Sequence, residues 1–187
     1  MLLIRLYILT AEKDHKEEML MRLETPRLII TKFDSSMAGV VQFNSLDDDN
    51  RRFVPDEVFE TVEEAAETID YLMECYDTGE GPQVFPVLLK DGTNVGYVQL
   101  VPMDDKYEVG YHIAGRYTGN GYASEALKAF LDYIMIEKNI TEVYGICVED
   151  NLASRGVLGN CGFAKIFEGK GEYQGEERDI VKYVYNR

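Results

Sequence analysis

The sequence predicts a single α/β domain of the α+β type, in which antiparallel strands lie before and after a long amphipathic helix. Three strand-like runs follow one another between residues 84 and 113. The hydrophobic period changes from that of a strand to that of a helix at Gly121, and further strand-like runs follow that helix. With 187 residues, 45% of them hydrophobic, the chain has the size of one domain and can bury a substantial core.

The N-terminal residues 1–22 are predicted to be a leader or extension, so that the domain proper spans 23–187. Residues 1–10 are apolar, but Arg5 interrupts them, and a charged segment follows where a signal peptide would have small cleavage-site residues. The run is also too short to span a membrane. We therefore expect a packed strand or a leader here, and a cytoplasmic protein.

The first strand and the first helix of the domain have clear signals. Residues 27–33 (RLIITKF) are β-branched and apolar, which predicts a strand. Residues 61–76 predict a helix, because Thr61 and Glu64 have the spacing of a capping box and the apolar residues that follow lie on one helical stripe. The segment TGEGP then ends this helix.

Residues 84–90 and 94–102 predict an antiparallel pair of strands. They are joined at Asp91-Gly92, a dipeptide favoured in tight hairpin turns because both residues can adopt positive φ. Pro86 cannot donate to a strand ladder, so we expect a bulge or a sheet edge at that point. The run 107–113 should pair with the second strand and complete a meander.

The C-terminal half alternates between helical and strand periods. Apolar residues recur at helical spacing through 122–135, which predicts the longest helix of this half. A strand over 142–148, a short helix from about Leu152 and two final strands over 163–171 and 177–186 are predicted to follow.

Charge and cysteine content restrict the partners. The 19 Lys and Arg residues against 34 Asp and Glu residues give a net charge of −15, which disfavours nucleic acid and anionic membranes. The same charge would attract amines, although acidic surfaces also serve solubility.

The three cysteines, Cys75, Cys147 and Cys161, lie far apart in the sequence. The only histidines that could add nitrogen ligands for a metal are His15 and His112. We therefore expect buried thiols and neither disulfides nor a metal.

A glycine-rich turn links a strand to the long helix in GRYTGNGYAS (115–124). Backbone N–H groups around Gly119 and Gly121 can point into one concavity, where the positive end of the helix dipole would favour an anion and Arg116 could cap its charge. Such a turn is also an ordinary connection. It lacks the Lys-Ser/Thr of triphosphate-binding loops, and the preceding strand belongs to a meander, unlike the dinucleotide fingerprint.

The spacing Arg116-x-x-Gly119-x-Gly121 between a strand and a helix resembles the pyrophosphate-binding motif of the GNAT superfamily of acyl-CoA-dependent N-acetyltransferases. Residues 24–33 and 107–113 resemble the opening and central strands of the branch typified by RimJ and RimL, the ribosomal-protein N-terminal acetyltransferases. The segment from Asn151 to Ser154, followed by GNCGF, resembles the second cofactor segment of that branch. The resemblance covers residues 23–187.

The resemblance implies a mixed, mostly antiparallel central sheet with helices on both faces. The central strand and the strand after the long helix would splay into a V that holds acetyl-CoA. The pantetheine arm would pair with the backbone near Ile113 and meet Asn151, while the pyrophosphate would rest on N–H groups between Arg116 and Ala123. The cofactor-binding residues implied in this way are Ile113, Arg116, Thr118, Gly119, Asn120, Gly121, Tyr122, Ala123 and Asn151.

The implied reaction is direct attack of a neutral amine on the acetyl-CoA thioester. Glu108 is the expected base, because it is charged in an otherwise apolar strand; it could also be an ordinary outward-facing carboxylate. His112 is a second candidate base on the same face of that strand. Ser154 could hydrogen-bond the sulfur or simply cap a helix. Many relatives have a tyrosine as the thiol's proton donor where this chain has Leu158.

The acceptor implied by the resemblance is a primary amine, either a peptide N-terminus or a small molecule. Acceptor selectivity is expected to lie in variable segments such as 44–60, which do not by themselves name the amine. A homodimer is compatible with the sequence. The alternative function is an acyl-CoA-binding module that has lost turnover, which Leu158 would favour.

Overall fold

The computed structural model describes residues 21–104 and 106–187, so most of the leader predicted over 1–22 lies outside the described residues. Eight strands form one sheet in the order β1-β2-β3-β4-β5-β6-β8-β7. Their bounds are β1 (Arg22–Glu24), β2 (Leu28–Thr31), β3 (Gln83–Leu89), β4 (Asn94–Met103), β5 (Lys106–Ile113), β6 (Glu142–Val148), β7 (Ala164–Tyr173) and β8 (Glu176–Asn186).

The sheet is mixed and mostly antiparallel, as predicted. Six neighbouring pairs are antiparallel, and β5 and β6 are the parallel pair within the described residues. In that pair, Glu108 lies opposite Tyr144 and no further residues are in register. The two strands therefore separate after this point, which confirms the predicted V between the central strand and the strand after the long helix.

In the described ranges, five α-helices pack against the sheet. They are α1 (Ala38–Ser45), α2 (Asp48–Phe53), α3 (Val62–Thr78), α4 (Tyr122–Glu137) and α5 (Leu152–Asn160). Helix α4 buries Phe130 and its neighbours against Phe85 and Val87 of β3, while α3 buries Ile69 against Val84. Since alternate residues of a strand point to opposite faces, α4 and α3 lie on opposite sides of the sheet.

The predicted helix over 61–76 is confirmed by α3 together with its cap. The hydroxyl of Thr61 accepts a hydrogen bond from the Glu64 N–H, and the Glu64 carboxylate accepts one from the Thr61 N–H. The helix ends at Gly79, whose φ of +72° is a left-handed conformation. Helices α1 and α2 were not predicted, because they are short and α2 (DDNRRF) has no apolar stripe.

The predicted hairpin between β3 and β4 is confirmed, with two differences in detail. Gly92 has a φ of +90°, but Asp91 keeps a negative φ and its side chain accepts a hydrogen bond from the Thr93 N–H. Strand β3 lies inside the sheet, yet its ladder with β2 extends only to Val87, and the register with β4 shifts directly after Val87. Pro86 therefore has no β2 residue opposite it.

The remaining elements agree with the predicted ones within a few residues. Strands β5 and β6, helices α4 and α5, and the C-terminal pair β7 and β8 occupy the segments where they were expected. Cys75, Cys147 and Cys161 are all free and buried, also as expected. None of the helices in the described ranges has the length and hydrophobicity of a membrane-spanning segment.

Gly96 allows β4 to approach β5 closely beside Ile113, at the C-terminal end of β5. It has a φ of +151°, and a Cβ at this position would lie 1.9 Å from the carbonyl oxygen of His112. We expect Gly96→Ala to lower the free energy of unfolding by about 2–3 kcal/mol or more, because the backbone would have to shift. Equilibrium urea unfolding measures this change.

Gly92→Ala is the matched control, because Gly92 also has a positive φ but a Cβ there would meet nothing within 4 Å. It should cost clearly less than Gly96→Ala. Equal losses in the two variants would show that backbone conformation alone, and not the close approach of the strands, makes glycine necessary at position 96.

Candidate active site

The splay between β5 and β6 opens into a cavity of about 810 Å³, here called the large cavity. Its walls come from β5, the turn before α4, β6, α5, the segment around α2 and the tip of the β7–β8 hairpin. Of the site residues expected from the sequence, those that line it are Glu108, Ile113, Thr118, Gly119, Gly121, Tyr122, Ala123, Asn151 and Ser154. Arg116 and Asn120 lie next to this set but do not line the cavity.

The turn before α4 has the features of an anion cradle. Gly119 and Gly121 both have a φ of +76°, and no side chain caps the N-terminus of α4. In the described part of the chain, the N–H groups of Tyr122, Ala123 and Ser124 have no acceptor. These free donors and the helix dipole face the large cavity and fit a pyrophosphate.

Arg116 differs from the expectation that its side chain caps the bound charge. Its guanidinium donates a hydrogen bond of 2.7 Å to Asn44 Oδ1 and lies over the rings of Phe43 and Tyr117. Asn120 donates from its side-chain amide to the carbonyls of Tyr117 and Thr118. Both side chains therefore shape the turn from outside and do not point into the cradle.

Arg27, which the sequence did not identify as a site residue, lies beside the cradle instead. It donates to the Asn120 carbonyl at 2.8 Å and to Glu125 Oε2 at 2.6 Å, and its guanidinium lies 4.8 Å from the centre of the Tyr122 ring. Its Nη2 is 3.6 Å from the position a Cβ would take on Gly121. Arg27 thus ties β2 to the turn and offsets the negative charge of Glu125 near the helix N-terminus.

Glu108 and Glu57 are two of the carboxylates that line the large cavity. Burial raises the pKa of Glu108 to about 7, although a backbone hydrogen bond from Ile146 and the charge of Lys182 oppose this shift. Burial likewise raises the pKa of Glu57 to about 7, against a 3.0 Å hydrogen bond that Gln99 Nε2 donates to its Oε1. Both groups can therefore accept or release a proton near neutral pH.

His112 is a weaker base than Glu108 in this environment. Burial lowers the pKa of His112 to about 4, even though Asp47 Oδ2 lies 3.9 Å from its Nε2. The imidazole is therefore neutral at physiological pH, and its conjugate acid gives up a proton far more readily than protonated Glu108 does. Both residues line the large cavity, as the shared strand face suggested.

Ser154 and Tyr111 form a hydroxyl pair at the wall of the large cavity. The Tyr111 hydroxyl lies 2.8 Å from Ser154 Oγ and 3.0 Å from the Ser154 carbonyl oxygen. Burial raises the pKa of Tyr111, so its phenol remains protonated. Asn151 Oδ1 accepts a 2.9 Å hydrogen bond from the Ser154 N–H, which caps α5 and fixes the position of Ser154.

Leu158, where many relatives have a tyrosine, is a packing residue here. It is 1% exposed, and a Cβ on Gly145 would lie 2.6 Å from its Cδ2. The neighbouring hydroxyl in this cavity belongs to Tyr111, which comes from β5 and not from α5. Tyr111 was missed in the sequence because its contact with Ser154 joins residues that are 43 positions apart.

The chain matches the acetyltransferase (GNAT) domain family over residues 27–164. It is 28% identical over 148 residues to YnaD of Bacillus subtilis, described as an N-acetyltransferase, and this match covers 78% of the chain and 84% of YnaD.

Solved structures share the whole architecture. An acetyltransferase of the GNAT family from Bacillus anthracis is 25% identical, with a TM-score of 0.75 over 89% of this chain and 98% of that one. RimL, the ribosomal L7/L12 alpha-N-protein acetyltransferase, solved in complex with coenzyme A, is 18% identical, with a TM-score of 0.75 over 87% of this chain and 95% of RimL. The RimL comparison shows a shared fold.

The cradle leads to a prediction about coenzyme A. CoA should raise the melting temperature of the wild type, because a ligand that binds only the folded state adds about 2.7 kcal/mol at a hundred times its Kd. Gly121→Glu should abolish this rise, since a negative side chain would stand beside the free N–H groups of α4. Thermal unfolding with and without CoA measures both effects.

Gly92→Glu introduces the same charge at another glycine of positive φ, in the β3–β4 turn, and serves as the control. It should keep the full CoA effect. A Gly121→Glu protein that responds to CoA like the control would show that the turn is only a connection.

Proposed function

Because the chain belongs to the GNAT family of acetyltransferases, we propose that its large cavity binds acetyl-CoA and a primary amine together, and that Glu108 accepts the proton of the attacking amine. The observation that carries the proposal is the position of Glu108. It lies where β5 and β6 part, in the same cavity as the unoccupied N–H donors at the start of α4.

The cofactor site is proposed to extend along one wall of the V. The N–H groups of Tyr122, Ala123 and Ser124 would hold the pyrophosphate, with Arg27 offsetting the negative charge of Glu125 nearby. Past Glu108, no β6 residue of the described ranges is in register with β5, so the β5 backbone groups that do not pair with β4 can pair with a pantetheine arm. When bound, acetyl-CoA supplies the thioester whose acetyl carbon the amine attacks.

Glu108 is the proposed general base. An amine must lose its proton to become a nucleophile, and a carboxylate whose pKa is about 7 can take up that proton near neutral pH. Glu57 lies in the same cavity and supplies a second negative charge that attracts a cationic acceptor. With a pKa of about 4, His112 is poorly suited to the same task.

The Ser154–Tyr111 pair is the proposed proton source for the departing thiolate. Both residues line the large cavity, their hydroxyls are 2.8 Å apart, and the Tyr111 phenol stays protonated because burial raises its pKa. A proton could thus pass from Ser154 to sulfur while Tyr111 supports the serine oxygen. This pair provides a donor despite Leu158, which removes the main reason to favour a binding module without turnover.

A peptide N-terminus is the proposed acceptor class. RimL, which has the same fold, is by its description an alpha-N-protein acetyltransferase of ribosomal L7/L12. The acceptor end of the large cavity is open and acidic, with Asp49, Asp56, Glu57 and Glu172 in its lining. An ammonium group at the end of a peptide would be drawn to this charge.

Glu108→Gln keeps the side-chain shape but removes proton acceptance, so kcat should fall by about 10²- to 10⁴-fold. Binding of CoA should change little. In the wild type the carboxylate form is the active one, and its pKa is about 7, so kcat/KM should fall as pH decreases through neutrality. After correction for the unprotonated fraction of the amine, this acidic limb should disappear in the variant; steady-state kinetics across pH would show it.

Glu57→Gln is the companion variant. Removing the neighbouring negative charge should move the acidic limb to lower pH, because the Glu57 charge contributes to the raised pKa of Glu108. If Glu108→Gln kept the wild-type kcat, the proton of the attacking amine would pass to His112 or to solvent and not to Glu108.

Tyr111→Phe should lower kcat by about hundredfold while leaving the thermal response to CoA intact, because it removes the phenol that supports Ser154. Tyr107→Phe is the control: Tyr107 lies on the same strand but does not line the large cavity. Equal kcat values for the two variants would contradict the proposed proton source.

A further inference from the structure

A second cavity adjoins the acceptor end of the large one. It has a volume of about 200 Å³ and is here called the small cavity. Asn50, Glu57, Gln99 and His112 line both cavities, so these four residues form the junction. The small cavity extends from this junction between α3 and the face of the sheet that α1 also covers.

The walls of the small cavity are mainly apolar. They include Phe33, Ile69, Leu72 and Val84, which are all buried in the core between α3 and the sheet. Tyr97 adds an aromatic ring that packs against His112 at a centroid distance of 5.6 Å. A site of this size and character suits a branched aliphatic or aromatic group.

Two buried amide donors without partners belong to the same walls. Asn50 Nδ2 and Asn94 Nδ2 are the buried side-chain donors that lack an acceptor among residues 21–104 and 106–187. Both residues line the small cavity, and they are 2% and 6% exposed. Since buried donors are normally satisfied, a ligand in the small cavity that brought an acceptor atom would offer these amides a partner.

The ligand atom that accepts hydrogen bonds from these amides should be neutral and not negatively charged. The junction already holds Glu57, and Asp47 and Asp49 lie close enough to affect the pKa of His112. A carboxylate entering this region would meet three negative groups, whereas an amide carbonyl would not be repelled. A carbonyl next to an amine and an apolar group is the arrangement found in the first residue of a peptide.

We infer that the acceptor of this enzyme is a primary amine that carries a large apolar side chain and a neutral carbonyl, as in a peptide whose first residue is aliphatic or aromatic. The amine would lie between Glu57 and Glu108, and the side chain would enter the small cavity. This inference rests on the proposed acetyl transfer and specifies its substrate class.

The first test compares kcat/KM for leucinamide, phenylalaninamide, alaninamide, serinamide and free leucine with acetyl-CoA. Rates are corrected for the unprotonated fraction of each amine at the assay pH. Leucinamide and phenylalaninamide should exceed alaninamide and serinamide by about ten- to hundredfold, since the extra apolar surface is buried. Leucinamide should also exceed free leucine. Equal values across the amides, or a preference for free leucine, would overturn the inference.

The second test fills the small cavity. Thr68 lies half-buried on α3 and lines the cavity, whereas its neighbour Glu67 is exposed and does not. Thr68→Phe should reduce the preference for leucinamide over alaninamide, measured as a ratio of kcat/KM values, to near unity. Glu67→Phe should keep the wild-type preference. A preference that survives in Thr68→Phe would show that the side chain binds elsewhere and overturn the inference.

Folding and function are separated by further measurements. Thr68→Leu is a smaller change that should lower the preference for leucinamide over alaninamide in part. If Thr68→Phe does not show the CoA-induced rise in melting temperature, Thr68→Leu takes its place in the test. If alaninamide were acetylated as fast as leucinamide, the inferred preference for a large apolar side chain would be wrong, but the proposed acetyl transfer would stand. No acetylation of any of these amines or of spermidine, in a protein stabilised by CoA, would overturn both.

Discussion

The separation of β5 from β6 is the constraint on which the rest of the site depends. These strands are parallel neighbours that meet in register at Glu108 and Tyr144 and then part. Parted strands leave backbone donors and acceptors unpaired, and such groups are tolerated only where a ligand or water can satisfy them. The same opening brings the uncapped start of α4 and the hydroxyl pair of α5 and β5 to one cavity.

Electrostatics explain how an acidic protein can act on a cationic acceptor with an anionic cofactor. The chain has a net charge of −15, yet the turn before α4 offers free N–H groups, the helix dipole and the nearby Arg27. The acceptor end is the reverse, with Glu57 and Glu108 buried enough that each has a pKa of about 7. The two ends of the large cavity therefore differ in charge in the way that the proposed cofactor and the proposed acceptor require.

Burial has opposite effects on the two candidate bases of β5, and this difference favours one of them. Removing water disfavours a charged group, which raises the pKa of a carboxyl and lowers that of an imidazole. Glu108 and His112 lie on the same face of the strand and line the same cavity, but their pKa values are about 7 and about 4. Residue type, in a shared environment, is thus enough to distinguish them.

The sequence by itself determined the elements with local signals: the capping box of α3, the apolar stripe of α4, the Gly92 turn and the glycines of the cradle. These depend on residues a few positions apart, so periodicity and spacing predict them. Arg27 beside Glu125, Tyr111 beside Ser154 and Glu57 beside Gln99 were decided only by the tertiary structure. Their partners are 98, 43 and 42 positions apart, and no local pattern specifies which distant side chains a folded sheet brings together.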